Sequence, residues 1–123
     1  MIAYSMIGTN DLPRAAEFYD GLLGEMGAAR AMDLGRAIVW AAGEGQPMFS
    51  VCIPLDEQPA TAGNGTMIAL AAENPAAVDR LYAKALELGA ADEGAPGERQ
   101  GGFYIGYVRD LDGNKLNFFA PAG

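Results

Sequence analysis

The residues best equipped for chemistry lie near the C-terminus, in the run Arg109-Asp110-Leu111-Asp112-Gly113-Asn114-Lys115. A D-x-D-G-N run can belong to a calcium loop when further carboxylates follow at loop spacing and helices flank it. Neither condition holds here, because the nearby carboxylates are missing and the flanking segments read as strands. Asp110 and Asp112 are therefore expected to shape a turn through side-chain to backbone hydrogen bonds. Cys52 is the single thiol, and the chain contains no histidine. A nucleophilic cysteine wants a basic partner to form its thiolate, so Cys52 reads as an inert buried thiol. The missing imidazole also excludes histidine general bases and histidine-ligated metals.

The bulk properties narrow the class further. A chain of 123 residues is enough for one domain, and half of them are apolar, which argues against general disorder. Eight basic against sixteen acidic residues give a net charge of -8. Nucleic acids and anionic membranes need basic footprints, so neither is expected as a partner. No apolar run approaches the ~20 residues of a membrane span. The N-terminal Met-Ile-Ala-Tyr-Ser lacks a signal-peptide pattern, and a lone cysteine fits a reducing compartment. A cytoplasmic location is expected on these grounds.

Two offsets reveal an internal repeat. Asp11 to Tyr19 resembles Asn74 to Tyr82, 63 residues later, and Ile38 to Pro54 resembles Ile105 to Pro121, 67 residues later. Each repeat reads as strand, helix and three strands. The first has strands near 2–9, 28–34, 36–42 and 47–53. Its helix is capped by Asp11, with Pro13 in the first turn and a stripe of Leu12, Ala15, Ala16, Tyr19, Leu22 and Leu23. The second has strands near 66–72, 91–94, 103–109 and 114–120. Asn74 caps its helix, Pro75 begins it, and Val78, Leu81, Tyr82, Ala85 and Leu88 form its stripe. The expected architecture is α+β: two tandem βαβββ units (about 1–55 and 65–123, linker about 56–64) forming a curved mixed sheet with helices on its outer face. Alternation places Phe49, Val51 and Ile53 opposite Met48, Ser50 and Cys52, and Leu116, Phe118 and Ala120 opposite Lys115, Asn117 and Phe119. The more apolar sets should lie under the helices and the mixed sets should face a trough.

The duplicated units, the Asn10-Asp11-Leu12 helix start ending in Phe18-Tyr19, and the terminal Arg109 to Lys115 run resemble the vicinal oxygen chelate superfamily. That group holds glyoxalase I, bleomycin-resistance proteins and extradiol dioxygenases. The run is close to the family's D-P-D-G-N turn, with Leu111 where proline is usual. The Gly94-Ala95-Pro96-Gly97 segment matches a loop of short bacterial members. Metal-dependent members hold a divalent ion with one side chain from each of four strands, usually two histidines and two glutamates. Carried over, the resemblance puts Tyr4 and Met67 at the histidine positions, 63 apart, and Ser50 and Asn117 at the glutamate positions, 67 apart. These neutral groups suit neither hard divalent ions nor zinc or nickel, so no bound metal or other cofactor is expected. Isomerisation of the glyoxalase type, which resembles a proton shuttle by a metal-bound glutamate, is correspondingly disfavoured.

Alternation also assigns Met6, Ile38, Trp40, Met48, Cys52, Ile105, Tyr107, Lys115 and Phe119 to the trough. Fosfomycin-modifying relatives present a tyrosine three residues before the turn's aspartate, which maps to Tyr107, and the repeat makes Trp40 its counterpart. The expected ligand-binding cleft is then Tyr4, Trp40, Ser50, Met67, Tyr107 and Asn117, suited to a small, largely apolar or aromatic molecule. Trp40 and Tyr107 read equally well as core aromatics, the methionines as packing, Ser50 and Asn117 as structural hydrogen-bonding groups, and Lys115 and Arg109 as solvated cations. Two function classes follow. One is metal-independent small-molecule binding by a homodimer, which the bleomycin-resistance resemblance implies. The other is a glyoxalase-like lyase, isomerase or transferase using Tyr4, Tyr107 or Lys115 as acid or base with a non-protein cofactor.

Overall fold

Asp11 and Asn74 start the two helices as their sequence contexts predict. In the computed structural model, which describes residues 1–123, each has extended backbone, and its side chain accepts a hydrogen bond from the N–H three residues on, Arg14 and Ala77. That satisfies one of the free N–H groups of the first turn. Helix α1 spans Leu12–Gly24 and α2 spans Pro75–Glu87, each with proline in its first turn. Gly27, at φ 78°, lets the chain leave α1 while the Ala28 N–H returns to the Leu23 carbonyl at 3.0 Å.

The first unit supplies strands β1 (Tyr4–Gly8), β2 (Ala29–Asp33), β3 (Ala37–Ala41) and β4 (Met48–Cys52). The second supplies β5 (Ile68–Ala71), β6 (Ala91–Arg99), β7 (Phe103–Arg109) and β8 (Lys115–Pro121). They form two mixed four-stranded sheets, ordered β1-β4-β3-β2 and β5-β8-β7-β6. In each, the first strand pairs parallel with the last, across the helix crossover, and the rest run antiparallel. One helix and four strands with the same three pairings thereby occur in both units, as the offsets require. Strand β6 is longer than its sequence suggests. Gly94 to Gly97 does not form a loop; it continues the strand through register shifts between Asp92 and Gly94 and between Gly94 and Gly97. Bulges of this kind are common on edge strands.

One contiguous core joins both units. It takes Leu12, Ala15, Ala16, Phe18, Tyr19, Leu22 and Leu23 from α1, and Val78, Leu81 and Ala85 from α2. Phe49 and Val51 meet it from β4, and Leu116, Phe118 and Ala120 from β8. The more apolar strand faces therefore do lie under the helices. Ile53 departs from this pattern: it lies past the end of β4 and is 38 % exposed.

A polar seam ties the units together beside this core. The β7–β8 turn sits against the β1–α1 corner. Asp112 accepts from the Thr9 hydroxyl at 2.6 Å and from the Asn10 N–H at 2.9 Å, while Asn114 donates to the Gly8 carbonyl at 2.9 Å. Asp110 is buried and accepts from the Asp112 and Asn114 N–H groups and from the Asn114 side-chain amide. These are the turn-shaping bonds expected of the D-x-D-G-N run. The remaining acceptor role of Asp110 lies far off in sequence: the Tyr19 hydroxyl donates to it at 2.5 Å.

Burial pushes the Tyr19 phenol well above its ordinary value, and the Asp110 charge adds to the rise. A raised pKa means that the fold favours the neutral phenol. Its contribution is complete below the unfolded tyrosine value of about 10 and is lost as pH rises above it. The melting temperature of the native chain should therefore fall more steeply between pH 9 and 11 (on the order of one to two units around that value) than that of Tyr19→Phe. Parallel slopes for the two proteins would contradict this.

Candidate functional site

The face of each sheet turned away from the helices carries the mixed residues. Cross-strand register defines it, because residues directly opposite one another point the same way. In sheet one, Tyr4 lies opposite Met48, and Met6 opposite Ser50, which in turn faces Val39. In sheet two, Asn117 lies opposite Ala69 on one side and Tyr107 on the other. Five of the six expected cleft residues thus belong to these open faces, in two separate groups. Tyr4 and Ser50 share sheet one, while Met67, Tyr107 and Asn117 share sheet two. The strands that would join the groups, β1 and β5, are each a sheet edge and are not paired with one another.

Trp40 does not belong to either open face. It lies opposite Phe49, on the helix side, and is 1 % exposed. Its indole N–H donates to Asp20 on α1 at 2.9 Å, and its ring packs near Tyr19 and Phe49. Ile38 follows it into the core, opposite Val51. The cause is a single residue of loop length. Val39 faces Ser50, whereas Tyr107 faces Asn117, so the β3–β4 connection is one residue longer than β7–β8. A one-residue difference inverts every side chain of a strand. Val39, not Trp40, is therefore the counterpart of Tyr107. The signal was present in the two hairpin lengths, but a constant 67-residue offset concealed it.

Each open face has its own polar pattern. Ser50 is fully buried and donates to the Ser5 carbonyl at 2.7 Å. Asn117 is buried, and its amide nitrogen reaches only the Met67 sulfur at 3.6 Å, while its Oδ1 has no partner. Tyr4, Met6 and Met67 are substantially exposed. Lys115 is not a solvated cation: it is half-buried, with Nζ 5.1 Å from the centre of the Tyr107 ring. Sequence reasoning overlooked Arg99, whose guanidinium lies 5.7 Å from the same ring. Arg109 is held in place, donating to Glu93 at 3.0 Å and to the Gly113 carbonyl at 3.1 Å. Cys52 is buried on the Ser50 side of β4.

Two cavities lie near the junction of the units, between the first helix and the strands β1, β4 and β5 in one case and between the two helices in the other. One of about 340 Å³ is lined by Leu23, Met26, Trp40, Phe49, Ile68 and Leu70, among others. A second, of about 260 Å³, lies between Glu25, Met26, Ala72 and Arg80. Neither is bordered by Ser50, Tyr107 or Asn117. No helix is long and apolar enough to cross a membrane.

Paired βαβββ units, each with a helix over one sheet face and a four-stranded face left open, define the class of protein. The family profile described as Glyoxalase/Bleomycin resistance protein/Dioxygenase superfamily matches residues 1–118, and this chain belongs to that family. Among solved structures, a glyoxalase/bleomycin resistance protein from Albidiferax ferrireducens is 33 % identical over 97 % of each chain, with a TM-score of 0.89. A hypothetical protein from S. aureus is 26 % identical over 98 % of this chain and 92 % of its own, with a TM-score of 0.76. A lactoylglutathione lyase from Agrobacterium tumefaciens shares the fold at 21 % identity, covering 97 % of this chain and 92 % of its own, with a TM-score of 0.74. No match was found among curated proteins.

Proposed function

We propose that this protein binds a small, largely apolar or aromatic molecule in a cleft built from its open sheet faces, and that it does so without a catalytic metal. The observation that carries the reading is the chemistry of the four positions where metal-dependent relatives place ligands. Tyr4, Ser50, Met67 and Asn117 offer a phenol, a hydroxyl already donated to a carbonyl, a thioether and an amide bonded to that thioether. No group of three or more histidine, cysteine or carboxylate side chains is assembled anywhere in the chain. Such a donor set does not fit a hard divalent cation, nor zinc or nickel.

The cleft is completed by a second copy of the chain in this reading. Tyr4, Met6 and Met67 are large apolar groups left substantially exposed on the open faces, and β1 and β5 present unpaired edges. Exposed apolar groups beside free strand edges favour association. A homodimer that sets sheet one of one protomer against sheet two of its partner covers both, and brings the two residue groups to one site. A cytoplasmic location accompanies this reading, on the grounds of the lone cysteine.

The test is a ligand screen by thermal shift, with and without divalent ions, on protein whose mass in solution is measured. A ligand that binds only the native state raises the melting temperature according to its affinity. Expected are a dimer, a set of small aromatic ligands that stabilise it equally with and without added metal, and no turnover of the methylglyoxal–glutathione hemithioacetal. Stoichiometric zinc, nickel, manganese or iron after purification, with metal-dependent turnover, would establish the enzyme instead.

A further inference from the structure

We propose that the open face of sheet two is an oxyanion site, in which Arg99 and Lys115 receive the carboxylate or phosphoryl group of a small organic anion beside the Tyr107 ring. The inference rests on the binding reading above and narrows its ligand class. The chain has twice as many acidic as basic residues, so cations should find carboxylates readily. Arg14, Arg30, Lys84 and Arg109 do so, pairing with Asp112, Asp20, Glu87 and Glu93. The other four cations have no carboxylate in range; Arg36 and Arg80 are exposed, where water solvates their charge, whereas Arg99 and Lys115 are not. Both are half-buried, and both lie within 6 Å of one aromatic ring (5.7 and 5.1 Å), with no carboxylate in salt-bridge range. Two like charges drawn to one ring repel each other, and the ring's quadrupole offsets only part of that cost. An arriving oxyanion supplies the missing countercharge.

The backbone is shaped to permit this cluster. Gly97 lies under the Arg99 side chain, and a Cβ there would stand 2.8 Å from a guanidinium nitrogen. At Gly94 a Cβ would come within 3.2 Å of the Tyr107 ring. Two glycines on a bulged edge strand thus let the guanidinium fold back over the sheet, where it donates to the Ala95 carbonyl at 2.8 Å. Next to the cluster, Asn117 presents its unpartnered, buried Oδ1 on the same face as Tyr107. A buried acceptor without a donor is costly. It marks where a hydroxyl or N–H of the same ligand completes the contact, so the ligand joins an anionic group to a hydrogen-bond donor a short distance away.

The experiment is an amide NMR titration of the labelled full-length protein with benzoate and phenyl phosphate, each bearing a meta-hydroxyl as the donor for Asn117, and with the neutral isostere benzamide bearing the same hydroxyl. Expected are saturable shifts at Arg99, Tyr107, Lys115 and Asn117 for at least one anion, with benzamide at least about tenfold weaker. The two anions separate a carboxylate ligand from a phosphoryl one. Lys115→Met and Arg99→Met should each weaken anion binding about tenfold and leave benzamide unchanged. Amide spectra of the unliganded variants confirm that they fold. The proposal is overturned if benzamide binds as well as the anions, if the shifts fall elsewhere, or if neither anion shifts the cluster at tens of millimolar. Equal binding of benzamide on this face would still support the small-molecule cleft. Failure of the broader reading would show separately, as no compound of either charge stabilising the protein in the thermal screen.

Discussion

Asp110→Ala should cost about 3–5 kcal/mol of folding stability, the largest loss expected from any change outside the apolar core. The carboxylate is the shared acceptor for the Tyr19 hydroxyl, the Asp112 and Asn114 N–H groups and the Asn114 side-chain amide. Tyr19 is 1 % exposed and has no room to recruit water. Truncation leaves a buried phenol unpaired and releases the turn that anchors the β7–β8 hairpin to the β1–α1 corner. In a chain of this size that corresponds to a fall in melting temperature on the order of 10–20 °C. Asp110→Asn keeps the shape and part of the acceptor capacity, and should lose roughly half as much. Urea unfolding followed by the fluorescence of Trp40, the sole tryptophan, measures both. A loss below about 1 kcal/mol for the alanine variant would show that the seam does not hold the units together.

Phe118→Ala is expected to cost about 3–5 kcal/mol, whereas Phe119→Ala, its immediate neighbour, should cost no more than about 1.5 kcal/mol. Phe118 is fully buried on the helix side of β8 and belongs to the core shared by both units. Deleting its ring leaves a cavity that neither helix can close without moving. Phe119 is half-buried on the opposite, open face, with its ring 4.6 Å from that of Phe103. Alanine there loses one aromatic contact and opens no cavity. Chemical denaturation of both variants at one protein concentration decides the point. That condition matters, because the proposed dimerisation would make stability concentration-dependent. Equal losses would mean that the open face of sheet two is covered as fully as the helix face.

Much of the fold was legible because its signals are local. Asp11 and Asn74 cap helices by contacts three residues away, and the stripes from Leu12 and Val78 follow the helical period. Strand β8 alternates as its sequence does, with Leu116, Phe118 and Ala120 inward. The 63-residue offset reports the duplication, and Asp110 shapes its own turn. The family follows from these same features. Each depends on residues close in the chain or on a repeated pattern, so no three-dimensional knowledge is required.

The site was less legible, because it depends on register and on distant partners. Trp40 and Tyr107 occupy corresponding places at a fixed offset, yet one is buried beside α1 and the other stands on the open face. The bond between Tyr19 and Asp110 joins residues 91 positions apart. Arg99 reaches Tyr107 only because Gly94 and Gly97 bulge the edge strand beneath it. Composition and spacing alone determined the elements and the duplication. Tertiary structure alone decided which aromatic faces outward and which cations share a ring. The reason is that strand orientation has a period of two, so a one-residue change in a hairpin reverses a whole face while leaving the sequence pattern almost unaltered.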